Sequence, residues 1–196
     1  LFGEVTWSVT ESFNLTGGLR YYDFEESRTQ IFDGIFGNDN NGTSLVATSG
    51  STSADGIVPR MIAEWKLSDA TSLNAQISQG FRLGGINDPL NVPLCTPQDL
   101  ETFGGQDAWD DETLWNYEIG SKSTIMDGKG SFNVAAFYMD ITDLQATVTA
   151  GSCSSRVIFN VPSSHSAGLE FEFAVAPTDH FDFSISASYA DSQLDS

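Results

Sequence analysis

No stretch of the sequence reaches the eighteen or so consecutive apolar residues that a membrane-crossing helix requires, so helical spans are excluded. Strands escape that exclusion, because their apolar residues alternate and never form a run. Bases are scarce, 8 against 27 acids, for a formal net charge of −19. A nucleic-acid partner needs a basic surface to neutralise phosphates, so none is expected. Histidine is reduced to His165 and His180 and cysteine to Cys95 and Cys153. That set offers no zinc-ligand spacing. No serine sits in a nucleophile elbow with a histidine placed to serve it, so acyl-transfer chemistry has no support. Gly84-Gly85 is followed by no helical pattern, which removes a phosphate loop. No cofactor is implied, no metal site is expected, and the chain is not expected to be an enzyme.

What the sequence does have is period-two alternation. In the stretch Asp111–Leu144, Trp115, Tyr117, Ile119, Ser121, Ser123 and Ile125 share one parity, and Asn116, Glu118, Gly120, Lys122 and Thr124 the other. One apolar and one polar face fit a strand better than a helix. Asp127-Gly128-Lys129-Gly130 supplies turn residues for a tight hairpin, and Phe132, Val134, Ala136 and Tyr138 return on one face. Strands of ten or more residues are long for a globular sheet, where about five or six is usual, but suit a tilted bilayer-crossing strand of about nine to eleven.

The same unit recurs along the chain. Strands are expected from Leu1 to Val9, Phe13 to Tyr21, Ile57 to Leu67, Leu73 to Phe81, Val157 to Val175 and Phe181 to Tyr189. Pro59 is expected near a strand start or at a bulge, and Pro162 with Ala167-Gly168 at another bulge. Residues 27–55 and 83–111 read as long loops and Gly151–Ser155 as a shorter one. With 40% hydrophobic residues, disorder is not expected outside such loops. Eight strands therefore alternate between four short turns and three longer loops, with short connections at one rim and long ones at the other, which is how outer-membrane barrels are built. Trp7, Phe13, Trp65, Phe132, Phe181 and Phe183 gather beside the short turns. Tyr21, Phe81, Trp115, Tyr117 and Tyr138 lie towards the loops, as two interfacial girdles would. A soluble β-sandwich binding or adhesion module and a passive channel complete in eight strands remain as alternatives.

Four phrases, LFGEVTWSVTESFNLTGGLRYYDFEES (Leu1–Ser27), SQGFRLGGIN (Ser78–Asn87), ETLWNYEIGSKSTIMDGKGSFNVAAFYMDITDLQ (Glu112–Gln145) and SAGLEFEFAVAPTDHFDFSISASYAD (Ser166–Asp191), resemble the TonB-dependent outer-membrane receptors. The resemblance implies an all-β fold, an antiparallel up-and-down transmembrane β-barrel segment spanning residues 1–196. It implies a Gram-negative outer membrane, with lipid and lipopolysaccharide as surroundings. It further implies a plug domain and the TonB energy-coupling protein as partners, and import of a scarce solute such as an iron chelate, cobalamin or oligosaccharide. No plug, coupling box, leader or closing aromatic strand is found between Leu1 and Ser196, so an interior piece of a barrel is expected.

On that reading Trp7, Trp65, Leu169, Phe171, Phe173, Phe181, Phe183 and Ile185 are expected to face lipid. Arg20, Arg82, Asn87, Glu118, Lys122, Glu170 and Glu172 are expected to face the lumen or the solute. Arg82, at the loop end of its strand, is the leading solute contact. Glu118, Glu170 and Glu172 could face one another as the paired carboxylates of glycoside chemistry, but acids on adjacent strands are ordinary in a water-filled barrel. Cys95 and Cys153 both fall in outer loops, and an even count in an oxidising setting favours a disulfide. Asp107, Asp110, Asp111 and Glu112 could hold a calcium ion or bridge to lipopolysaccharide through one, but lack a calcium-loop spacing, and a solvated acidic loop is expected.

Overall fold

The alternating segments all become strands in the computed structural model, which describes residues 1–32 and 46–195. In chain order they are β1 (Phe2–Ser8), β2 (Phe13–Phe32), β3 (Val46–Ser68), β4 (Thr71–Arg82), the two-residue β5 (Gly85–Ile86), a helix α1 (Pro97–Phe103), the two-residue β6 (Ala108–Trp109), β7 (Glu112–Ile125), β8 (Gly130–Thr149), β9 (Arg156–Thr178) and β10 (Phe181–Asp195). The eight long strands form one antiparallel sheet in the order β1-β2-β3-β4-β7-β8-β9-β10, while β5 and β6 pair only with each other. A sandwich needs two sheets of comparable size. Among the described residues all eight long strands lie in one. That sheet is open, with β1 and β10 as its edges, so these strands do not close into a small channel by themselves.

Register converts alternation into two faces. Trp7, Leu15, Ala63, Ala75, Ile119, Ala136, Leu169 and Tyr189 pair in sequence across all eight strands. The next row is Ser8, Asn14, Glu64, Asn74, Gly120, Ala135, Glu170 and Ser188, on the opposite face. The apolar face is uncovered, with Trp7 64%, Ile119 62% and Leu169 61% exposed. An apolar surface running the width of an eight-stranded sheet marks a face that meets a partner, protein or lipid. Aromatic contacts knit it laterally, with Phe132 edge-on to Phe171 at 5.5 Å and Phe173 tilted on Phe183 at 6.3 Å.

Several local expectations are corrected. Residues 27–55 are not all loop. β2 runs on to Phe32 and β3 starts at Val46, paired from Phe13↔Trp65 to Phe32↔Val46; the rest of that expected loop lies outside the described residues. Pro59 stands inside β3, at the first position beyond the last β3–β4 pair, Arg60↔Ser78. There its missing N–H costs no ladder bond. Pro162 and Asp143 face each other as an unpaired step between Thr142↔Ser163 and Leu144↔Val161, without a change of register. Asp143 adopts φ 55° there. Ala167 and Gly168 are in regular register, and the bulge in this hairpin lies between Phe181 and Phe183. The β7–β8 turn takes its left-handed residues from Met126, Asp127 and Gly128, one step earlier than expected. Gly168 has a different use: a Cβ there would lie 2.4 Å from the Tyr189 carbonyl oxygen and 2.5 Å from the Phe137 ring, which crosses the backbone at this point.

Candidate functional site

Four of the residues expected in the lumen share one place. Glu118, Lys122, Glu170 and Glu172 line a recess of about 150 Å³ on the polar face, with Asn133 donating to Glu172 at 3.2 Å. Arg20, Arg82 and Asn87 stand apart from them, nearer the end that carries the long loops. Arg20 lies on the polar face of β2, paired with Val58 and Phe2.

Residues 83–111 are folded against the tip of the β8–β9 hairpin. Thr96-Pro97-Gln98-Asp99 starts α1: Thr96 is the N-cap, its Oγ1 accepts from the Asp99 N–H at 3.2 Å, and Pro97 fills the first turn, where its missing N–H is harmless. The Asp99 carboxylate accepts from Ser152 N at 3.0 Å, Ser152 Oγ at 2.5 Å and Thr96 Oγ1 at 2.8 Å. These bonds, Ser152's hydroxyl and backbone first and Thr96 next, hold its pKa below the ordinary carboxylate value. Gly151, at φ +48°, makes the approach possible, since a Cβ there would lie 2.6 Å from that carboxylate. Cys95 and Cys153 are bonded, with Cα atoms 4.2 Å apart. Around them Leu90 and Phe103 pack on buried Ala150 and Val157. This small apolar cluster joins the cap to the outer end of β9, to which Val157 belongs.

A polar network ties the cap to the strands below. The Arg82 guanidinium donates to Glu112 and, at 3.1 Å, to the Gln145 carbonyl, while Gln145 N donates to Glu112 at 2.7 Å. Gln145 Nε2 reaches the carbonyls of Leu83 at 2.9 Å and of Arg82 and Asp110 at 3.2 Å. Asn160 Nδ2 donates to the Asp143 and Asp110 carbonyls at 2.8 and 2.9 Å. The Asn160 carboxamide thereby satisfies the Asp143 carbonyl at the unpaired Asp143/Pro162 step. On the β2–β3 side, Gln30 Nε2 donates to Asp88 at 2.5 Å and Arg28 pairs with the same carboxylate at 3.4 Å.

Two expected solute contacts also make bonds within the cap. Asn87 is 7% exposed, its carboxamide exchanging hydrogen bonds with Ile158 N and O at 2.9 and 2.7 Å. It serves the cap, not an open surface. Arg82 is tied to Glu112, which is 8% exposed. Two of the four acids suggested for calcium are engaged elsewhere: Asp111 accepts from Gly84 N at 2.6 Å and Glu112 from Arg82. Among the described residues no three metal-ligating side chains converge. Phe81, expected in the upper girdle, stacks instead on Tyr22 at 3.8 Å.

On the apolar face, Trp7 (64%), Trp65 (51%), Leu169 (61%), Phe181 (58%), Phe183 (47%) and Ile185 (47%) are exposed. Phe171 and Phe173 are half-buried by their ring neighbours. The sequence missed Gln145, Asn160 and Tyr22, whose partners are remote in the chain. The helix start Thr96-Pro97-Gln98-Asp99 was a readable capping signal.

This wall of long antiparallel strands is shared with known proteins. The model of the TonB dependent receptor-like β-barrel matches residues 1–196. The chain belongs to the TonB-dependent receptors. It is 24% identical to the pesticin receptor of Yersinia enterocolitica over 171 residues, 87% of this chain and 22% of that protein. Among solved structures, it superposes on the ferric yersiniabactin uptake receptor FyuA of Yersinia pestis with a TM-score of 0.75 at 19% identity, covering 99% of this chain and 26% of that one. On the copper transporter OprC the TM-score is 0.70 at 16% identity, with 98% and 28% covered. The chain thus spans about a fifth of the length of the curated relatives it matches. As a receptor barrel segment, it has short turns at one rim of the wall and the longer connections at the other.

Proposed function

We propose that this chain is part of the barrel wall and outer mouth of an active transporter in the outer membrane of a Gram-negative bacterium. The transporter imports a scarce solute, an iron chelate before cobalamin or an oligosaccharide, through a lumen occupied by its own plug. TonB supplies the energy through the plug. The observation that carries the reading is the uncovered apolar face of the single eight-stranded sheet, which in this family is the lipid-facing wall. The two unpaired edges, β1 and β10, support continuation into a larger barrel, because an open sheet edge is not tolerated in hydrocarbon. The iron-chelate preference rests on the neighbour described as a ferric yersiniabactin uptake receptor. Lipid and lipopolysaccharide are the surroundings proposed for the apolar face and for the strand extensions above it.

Accumulation of radiolabelled ferric chelates by iron-starved cells, with and without the full-length receptor, tests this reading. Uptake should depend on the receptor and collapse when the proton-motive force is dissipated. Receptor-dependent uptake that survives the uncoupler would show passive passage and overturn the active-transport reading.

A further inference from the structure

The sheet splits on its outer half, and the split is furnished. Pairing of β3 with β4 stops at Arg60↔Ser78, although β3 continues beside β2 up to Val46 and β4 continues beside β7 to Arg82. Pro59, the next residue of β3, has no N–H to offer across the gap. Phe81 closes the space from the β4 side, its ring stacked on Tyr22 of β2 at 3.8 Å and 11°. The Tyr22 ring can lie there because it crosses Gly56, where a Cβ would come within 2.8 Å of it. The Arg20 guanidinium, two residues along the same face, stands 5.3 Å from the centre of the Phe81 ring.

Arg20 differs from three other arginines of this wall in what holds it. Arg28, Arg60 and Arg82 each have a carboxylate partner. Among the described residues Arg20 has the ring contact and neither an ion pair nor a hydrogen bond. A guanidinium held against an aromatic face keeps its in-plane N–H donors free, in a fork that matches a carboxylate. Arg60 is its diagonal neighbour across the β2–β3 pair, half exposed, donating to Gln76 at 3.0 Å and 3.7 Å from Glu4. A recess of about 1120 Å³ opens beside them, lined by Phe2, Arg20, Arg60, Ser78, Phe81 and Leu83. Its lining carries two guanidinium groups against one carboxylate, Glu4, in a chain of net charge −19. This local reversal of sign, with an aromatic ring beside it, is the chemistry of an organic-anion site.

We propose that the Arg20–Phe81 recess binds the carboxylate of an aromatic or similarly flat solute group. Arg20 grips the oxyanion bidentately, Arg60 adds attraction, and the edge of Phe81 meets the flat portion. The inference deepens the transporter reading and rests on it in one respect, that the polar face is the lumen face.

The test uses the full-length receptor in detergent, with ¹⁹F NMR of 4-fluorobenzoate as the probe and 4-fluorobenzylamine as the cationic control. The wild type should broaden the benzoate signal saturably and leave the amine unaffected. Arg20→Gln should weaken benzoate binding about tenfold or more, the loss of a charge-assisted pair. Phe81→Leu should weaken it several-fold, and Arg20→Lys should retain part of it. Heat-modifiable gel migration reports whether each variant is folded. If Arg20→Gln fails to fold, the graded losses in Arg20→Lys and Phe81→Leu carry the test. Absence of saturable binding by the folded wild type would mean that the receptor satisfies Arg20 internally, and overturns the proposal. Equal binding of the amine, or variants indistinguishable from wild type, does the same. Because binding is read without uptake, a receptor that binds benzoate and transports nothing refutes the transport reading alone.

Discussion

Replacing Phe173 by aspartate should disrupt the barrel where replacing Ser186 by aspartate does not, although the two positions lie on adjacent strands. Phe173 pairs with Phe132 and Ile185 on the apolar face and packs on Phe183. Removing its side chain from an apolar medium forfeits about 1.5–3 kcal/mol. A carboxylate on the lipid face, some way from the bilayer centre, adds roughly 1–2 kcal/mol. The sum, roughly 3–5 kcal/mol, is a large share of the 5–15 kcal/mol or so that holds a typical folded protein. Ser186 pairs with Glu172 on the polar face, so Ser186→Asp creates one wet like-charge pair, worth less than about 1 kcal/mol. The assay is urea unfolding of the full-length receptor folded into lipid vesicles, with recovery in the outer-membrane fraction as the cellular counterpart. Phe173→Asp should lower the unfolding midpoint strongly or abolish recovery, and Ser186→Asp should do neither. Equal losses for the two variants would refute the assignment of faces.

Three further outcomes are expected. Breaking Cys95–Cys153 by paired serine substitution should leave the barrel folded but expose residues 83–111 to protease; the chain-entropy value for a bridge across 58 residues, about 4 kcal/mol, is an upper limit because the strands already restrain that loop. Asp99 has a depressed folded pKa, so its bonds to Ser152 stabilise the cap above the ordinary carboxylate pKa, and that stabilisation is lost as pH falls through the folded value. Amide exchange of residues 96–103 should therefore stay slow until the pH drops below about 3.8 and then accelerate, and Asp99→Asn should remove the acid-side transition. Gly168→Ala should destabilise the β8–β9–β10 wall by about 1–3 kcal/mol, since the new methyl meets the Tyr189 carbonyl and the Phe137 ring; vesicle unfolding measures it, and an unchanged midpoint would mean that the ring moves aside freely.

The lower half of the sheet was legible and the upper half was not, for one reason. On the proposed reading, between the short turns and the level of Tyr117 and Tyr138 one side of each strand meets lipid and the other water, so side-chain type alternates with the pleat, and above that level both sides are wet. Ser27 to Gln30 and Thr48 to Ser53 pair as regular strand, yet polar residues stand on both parities and no period survives. The disulfide was legible because two cysteines allow one pairing. The Arg82–Glu112–Gln145 and Asn87–Ile158 contacts join residues 30 to 71 positions apart, and nothing local specifies them. Phe81 was misplaced because parity fixes a face only while the strand is paired on both sides. Beyond Ser78, β4 has lost β3, and the ring turns into the gap.

The central claim is that successive residues of the outermost strands look alternately into hydrocarbon and water, and site-directed spin labelling tests it most directly. Nitroxides would be placed one at a time at positions 183 to 189 of β10 in the full-length receptor in lipid vesicles. Collision rates with oxygen, which partitions into lipid, and with a water-soluble nickel chelate would then be compared. Labels replacing Phe183, Ile185, Ala187 and Tyr189 should favour oxygen, and those replacing Ser184, Ser186 and Ser188 the chelate, the two profiles oscillating with period two and out of phase. Profiles that rise and fall together, or that show no period, would contradict a strand lying in the wall of a membrane barrel.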